Sequence, residues 1–267
     1  MFSERELTIQ GGRTRYLEAG AGWPVVLLHA FPLSADMWRP QLERVPKGWR
    51  FIAPDLPGFG RSSVLGVSPS MDAFADAVAS LLDQLEIERA TIGGLSMGGY
   101  ITFALFRKAP ERFTALVLAN TRPQADTTEA REGRRKMRQV VIDAGVSAVA
   151  DQMLPKLLGA SSRRRRPHLE REVRALIEAN SSQGIAAALD AMMDRQDSTP
   201  LLGRVGRPAL ILTGDEDVLI PSSDAEAMRV NIARSRIVVL EGAGHLSNME
   251  APEEFSSALG DFLASNL

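Results

Sequence analysis

The stretch ATIGGLSMGGY, residues 90–100, sets one serine among four glycines, directly after a short strand-like run and directly before a segment with helical spacing. ATIGG reads as a buried strand and residues 96–109 as a helix, so Gly94-Leu95-Ser96-Met97-Gly98 falls on the turn between them. A turn that sharp holds its central residue in a strained backbone region, and side chains two residues to either side would collide with a neighbouring strand or helix. Glycine at positions 94 and 98 removes both collisions. The same turn lifts the Ser96 hydroxyl above the sheet at a helix N-terminus, where the Met97 N–H can face a developing negative charge. Ser96 is therefore a candidate nucleophile.

Outward from this turn the chain alternates. Residues 25–30, 50–55, 114–120, 209–214 and 236–242 join 90–94 as short apolar runs of the kind found in strands buried on both faces. Residues 71–85, 96–109, 222–233 and 251–267 carry helical spacing, the last with Pro252 near its first turn. Residues 5–10 and 13–18, joined by Gly11-Gly12, read as a hairpin at a sheet edge. This pattern predicts an α/β fold with a mostly parallel, doubly wound sheet of about eight strands. Residues 122–204 break the rhythm, showing only helical patterns at 129–144, 146–158, 169–180 and 185–195. They are expected to form a helical cap inserted between strands 6 and 7, on a core made of residues 1–121 and 205–267.

Composition narrows the chemistry. Lys and Arg total 31 against 33 Asp and Glu, a net charge of −2, so no global field favours nucleic acid or an anionic membrane as partner. The absence of cysteine removes disulfides, thiolate metal ligands and a cysteine nucleophile together. No apolar run reaches the roughly 18 residues of a membrane span, and the charged, strand-like start lacks the apolar stretch of a secretory signal. A cytoplasmic protein acting on a small molecule is expected. Other motifs do not fit: a Walker loop needs lysine where Gly99 stands, and Gly58-Phe59-Gly60 lacks the third glycine of a dinucleotide fingerprint, Ser63 occupying that place. The arginine run at 163–166 and the helical face of Arg131, Arg134, Arg135 and Arg138 read as solvated surface.

A serine nucleophile needs a histidine base and an acid to orient it. Of the three histidines, His29 ends a buried strand and His168 lies in the polar insertion. His245 follows the last strand, on the C-terminal edge of the sheet where Ser96 also sits. The loop after residues 209–213 places Asp215, Glu216 and Asp217 on that same edge.

Five motifs in order then resemble the α/β-hydrolase fold superfamily, in particular its esterases, enol-lactone hydrolases and cofactor-free perhydrolases. LLHAFPLSADMW is similar to the family's oxyanion loop, DLPGFGRS to its Asp-x-x-Gly-x-Gly-x-Ser turn, GLSMGG to its nucleophile turn, GDEDVLIP to its acid loop and GAGHLSNMEAPEEF to its histidine loop. The resemblance implies Asp217 as the acid, His245 as the base and the Phe31 backbone N–H as a second oxyanion donor beside Met97. It makes His29 a brace and Asp55 a turn-ordering residue. Ala30 stands where the family usually has glycine. Phe31, Trp38 and Met153 are candidates for the pocket wall. The implied activity is hydrolysis of a small ester or lactone through an acyl-enzyme on Ser96, with neither metal nor organic cofactor. Perhydrolysis, carbon–carbon bond hydrolysis and a non-turnover ligand sensor are the alternatives on the same triad and fold.

Overall fold

In the computed structural model, which describes residues 1–64 and 66–266, the apolar runs form one eight-stranded sheet. Its strands are β1 (Ser3–Ile9), β2 (Gly12–Gly20), β3 (Trp23–Leu28), β4 (Trp49–Pro54), β5 (Ala90–Leu95), β6 (Phe113–Ala119), β7 (Ala209–Gly214) and β8 (Ser235–Leu240). The spatial order is β1-β2-β4-β3-β5-β6-β7-β8. The pairings β1–β2 and β2–β4 are antiparallel and the rest parallel, so the predicted edge hairpin and mostly parallel sheet are both present.

The helices follow as α1 (Arg39–Leu42), α2 (Met71–Gln84), α3 (Met97–Lys108), α4 (Thr128–Leu157), α5 (Ala160–Arg165), α6 (His168–Glu178), α7 (Ser182–Met193), α8 (Ser222–Asn231), α9 (Ser247–Glu250) and α10 (Pro252–Ala264). Side chains place several of their starts. The Ser70, Thr127 and Ser181 hydroxyls accept the N–H of Ala73, Ala130 and Gly184, satisfying donors that the first helical turn leaves free. The break expected between residues 144 and 146 is present: Gly145, at φ 80° and ψ −175°, is non-helical and divides the span of α4 into two helical segments that meet at a kink. The closing helix stops at Ala264, and Leu267 lies outside the described residues.

Side-chain alternation along the strands builds two cores. In β3, Val26 and Leu28 join Phe74 and Val78 of α2 and Ile101 of α3 on one face. Val25 and Leu27 join Leu42 of α1 and Phe255, Leu259 and Phe262 of α10 on the other. Because both faces are covered, every side chain from Val25 to Leu28 is fully buried. Strand β8 differs from the sequence expectation of burial on both faces. It is the sheet's outer edge, and Val239 there is 54% exposed. Helices α4 to α7 all lie in the chain between β6 and β7. No described helix is long and apolar enough to cross a membrane.

Candidate active site

Ser96 is the N-cap of α3, with φ 55° and ψ −111°, a conformation that costs a non-glycine residue on the order of 1–3 kcal/mol. Its neighbours hold it there. The Ser96 N–H donates to the Ala119 carbonyl at 2.9 Å, and the Thr121 hydroxyl donates to the Ser96 carbonyl at 2.9 Å. The glycines answer the steric demand directly. A Cβ on Gly94 would lie 2.6 Å from the Leu28 carbonyl oxygen, and one on Gly98 would strike that same oxygen.

Among the three acids of the β7 loop, each has a different partner. Asp215 accepts the Gly242 N–H at 2.7 Å and closes a turn. Glu216 reaches the other way, accepting the backbone N–H and hydroxyl of Ser161. Only Asp217 meets His245, whose Nδ1–H donates to Asp217 Oδ2 at 2.8 Å. Burial opposes the charge on Asp217. His245, Asn120 and the Ile220 N–H together outweigh it and hold the carboxyl below its ordinary value. With Nδ1 bound in this way, His245 keeps Nε2 free as the basic nitrogen. Ser96 and His245 both line a cavity of about 340 Å³, together with Phe31, Met153 and residues of α4 and α7.

Phe31, which lines the cavity, follows β3, and Met97 begins α3. Met97, first in its helix, has no intrahelical acceptor for its N–H. The Phe31 loop is braced from below by His29. His29 Nε2 accepts the Leu56 N–H at 3.0 Å while its Nδ1 lies 3.0 Å from the Ala30 carbonyl, so one neutral tautomer satisfies both bonds. Full burial pushes its pKa down to about 4. Asp55 is likewise committed to its turn, accepting the Ala35 and Arg61 N–H groups and Arg15.

Three groups that tie the neighbouring loops together carry no motif of their own in the sequence. Asn120, at φ 42°, donates from Nδ2 to Asp217 Oδ2 at 2.8 Å and to the Gly244 carbonyl at 3.2 Å, tying the acid loop to the histidine loop. Its only sequence signal is asparagine at a strand end, the residue type that tolerates positive φ. Glu250 accepts the N–H groups of Gly244 and Leu246, on either side of His245, and that of Gly159. Burial raises its pKa despite those three bonds. Asn180 joins α6 to the loop after β3, accepting the Gly60 N–H and donating to the Leu176 and Pro32 carbonyls.

Some surface expectations are corrected. Arg165 donates to the Gly242 carbonyl and Arg166 to the Met249 carbonyl, so half of the arginine run fastens α5 to the histidine loop instead of facing solvent alone. Arg134 turns inward to Asp126 and the cavity, leaving the solvated face assigned to it. Trp38 is fully buried against Phe255, ring centroids 5.8 Å apart, and takes no part in the cavity wall. His168 is half exposed beside Glu172, away from the cavity. Among the described residues no group of three or more metal-ligating side chains is placed to hold an ion.

The chain belongs to the α/β hydrolase fold family, whose model matches residues 24–252. Among solved structures, a thermophilic esterase from Thermogutta terrifontis with malate bound superposes with a TM-score of 0.94 at 37% identity, covering 99% of each chain. The 3-oxoadipate enol-lactonase 2 of Acinetobacter baylyi is 28% identical, covering 95% of this chain and 94% of its own. The 2-hydroxymuconate semialdehyde hydrolase of a Pseudomonas species is 30% identical, covering 97% and 93%.

Proposed function

We propose that the protein is a serine hydrolase that cleaves a small carboxylic ester or lactone through an acyl-enzyme on Ser96. The observation that carries this is the buried Asp217–His245 pair opening on the same cavity as the strained Ser96. His245 Nε2 takes the Ser96 proton, Asp217 stabilises the imidazolium that forms, and the Met97 and Phe31 N–H groups receive the carbonyl oxygen as it becomes an oxyanion. His245 then returns the proton to the departing alcohol, and water, activated by the same base, releases the acid. Each proton and charge in this sequence has a named side chain or amide, so the reaction calls on no metal or organic cofactor.

In this account residues 122–204 act as a cap over a core of residues 1–121 and 205–267, shielding the acyl-enzyme and limiting substrate size. The partner is a small molecule and the setting is cytoplasmic. A second reading, carbon–carbon bond hydrolysis by the same three residues, is favoured by the 2-hydroxymuconate semialdehyde hydrolase relative at 30% identity.

The test is steady-state hydrolysis of 4-nitrophenyl esters of increasing acyl length, run beside vinylogous diketones as carbon–carbon substrates. Wild type should turn over short esters, and Ser96→Ala should lose at least about a thousandfold in kcat, the scale on which triad members act. Residual activity within tenfold of wild type sinks Ser96 as nucleophile. Diketone cleavage without ester cleavage moves the second reading ahead.

A further inference from the structure

The cavity beside Ser96 is electrically one-sided. Its charged lining consists of Arg122, Arg134 and Lys156, with no carboxylate among the lining residues. Arg134 is partly answered by Asp126, but that carboxylate is shared with Arg195, which also lies over the Tyr100 ring at 4.1 Å. Two guanidinium groups on one carboxylate leave a surplus positive charge at this wall. Arg122 and Lys156 enter no ion pair or side-chain hydrogen bond among the described residues, and Arg122 Nε is buried without an acceptor. Arg122 also borders a smaller hollow where Asp72 and Asp194 lie. Asp72 is taken by Arg107, and neither carboxylate bonds Arg122.

A buried guanidinium N–H without an acceptor carries a desolvation penalty that only an anionic or strongly accepting group recovers. The planar guanidinium matches a carboxylate with two parallel bonds, and a lysine adds a mobile second charge. Both cations are well placed in the chain for this. Arg122 follows Thr121, whose hydroxyl holds the Ser96 carbonyl, and Lys156 closes the last turn of α4. We infer that the substrate bears a carboxylate besides its scissile ester or lactone group, and that Arg122 and Lys156 hold it while the carbonyl lies at Ser96. This inference rests on the assignment of Ser96 as nucleophile. It excludes no part of the acyl-enzyme chemistry and adds a charge requirement to the substrate.

Two matched ester pairs test it. Mono-4-nitrophenyl glutarate against 4-nitrophenyl pentanoate places the charge on the acyl side, and 4-acetoxybenzoate against phenyl acetate places it on the alcohol side. In each pair the readout is the ratio of kcat/KM for the charged to the neutral ester, which cancels any general loss from misfolding. A cation beside water contributes roughly fivefold. Wild type should therefore favour the charged member of at least one pair by about tenfold or more, and the preference should shrink several-fold at high salt. Arg122→Gln and Lys156→Gln should each lower that ratio about fivefold, and Arg122→Lys should restore part of it. A ratio near one in both pairs, with both neutral esters hydrolysed, overturns the inference and leaves the serine hydrolase standing. If no ester is turned over, the nucleophile assignment is what has failed. Glutarate binding by calorimetry then decides the cationic pocket alone: binding weakened by Arg122→Gln upholds it, and no binding to wild type overturns it.

Discussion

Acidification should loosen the protein through His29, and the size of the effect follows from its bonds. The imidazole is fully buried, and both nitrogens are engaged in the neutral form, with Nε2 accepting from Leu56. Its pKa in the fold is about 4, whereas an unfolded chain has about 6.5. Below about 6.5 the unfolded state therefore binds the proton that the folded state refuses, so stability is present above that pH and lost as pH falls toward 4. From those two values the loss is about 2 kcal/mol at pH 5 and about 3 kcal/mol at pH 4. Urea unfolding of wild type and His29→Gln isolates this, because His168, His245 and the carboxylates contribute equally to both. The stability advantage of wild type over the variant should shrink by about 2 kcal/mol between pH 7 and pH 5. A difference that stays constant within about 0.5 kcal/mol over that range refutes the assignment of His29 as a neutral brace.

Asn120→Ala removes the amide that steadies Asp217 and leaves a buried charge short of one donor, a loss of about 2 kcal/mol. Ester kcat/KM should fall about thirtyfold while the circular dichroism spectrum is retained, and a change under threefold would show that Asp217 needs no such support. Glu250 has the opposite pH sign to His29. Its pKa is raised in the fold, so the stability it contributes is full below about 4.5 and is lost as pH rises through the raised value. The stability of wild type relative to Glu250→Gln should decline as pH rises above about 4.5, and a difference that grows with pH contradicts the burial argument.

The parts of this molecule that were legible in advance are those where local chemistry allows one solution. Gly94 and Gly98 had to be glycine for a serine turn, and the distances to the Leu28 carbonyl bear this out. Strand and helix alternate because each apolar run is short and each intervening period is helical, and such alternation gives the parallel pairings that run from β4 to β8 across the sheet. What stayed hidden depends on which neighbour a residue meets. Arg134 and Arg135 share one stretch of α4, yet one turns to Asp126 and the other to Glu132, and helical spacing alone cannot separate them. Val239 looked like core because its run is apolar, but β8 has no strand beyond it. Asn120 acts on a carboxylate 97 residues away, and Glu250 ties its own loop to Gly159, 91 residues away. No local pattern records such partners. The resemblance implied His29 as a brace, and its two bonds, to the Leu56 N–H and the Ala30 carbonyl, match that role.

Activation of Ser96 as a nucleophile is read by labelling the folded protein with a fluorophosphonate probe and mapping the modified peptide. The account predicts one stoichiometric label on Ser96, lost in Ser96→Ala and strongly slowed in His245→Ala. A folded protein that takes no label, or takes it on another residue, contradicts the account.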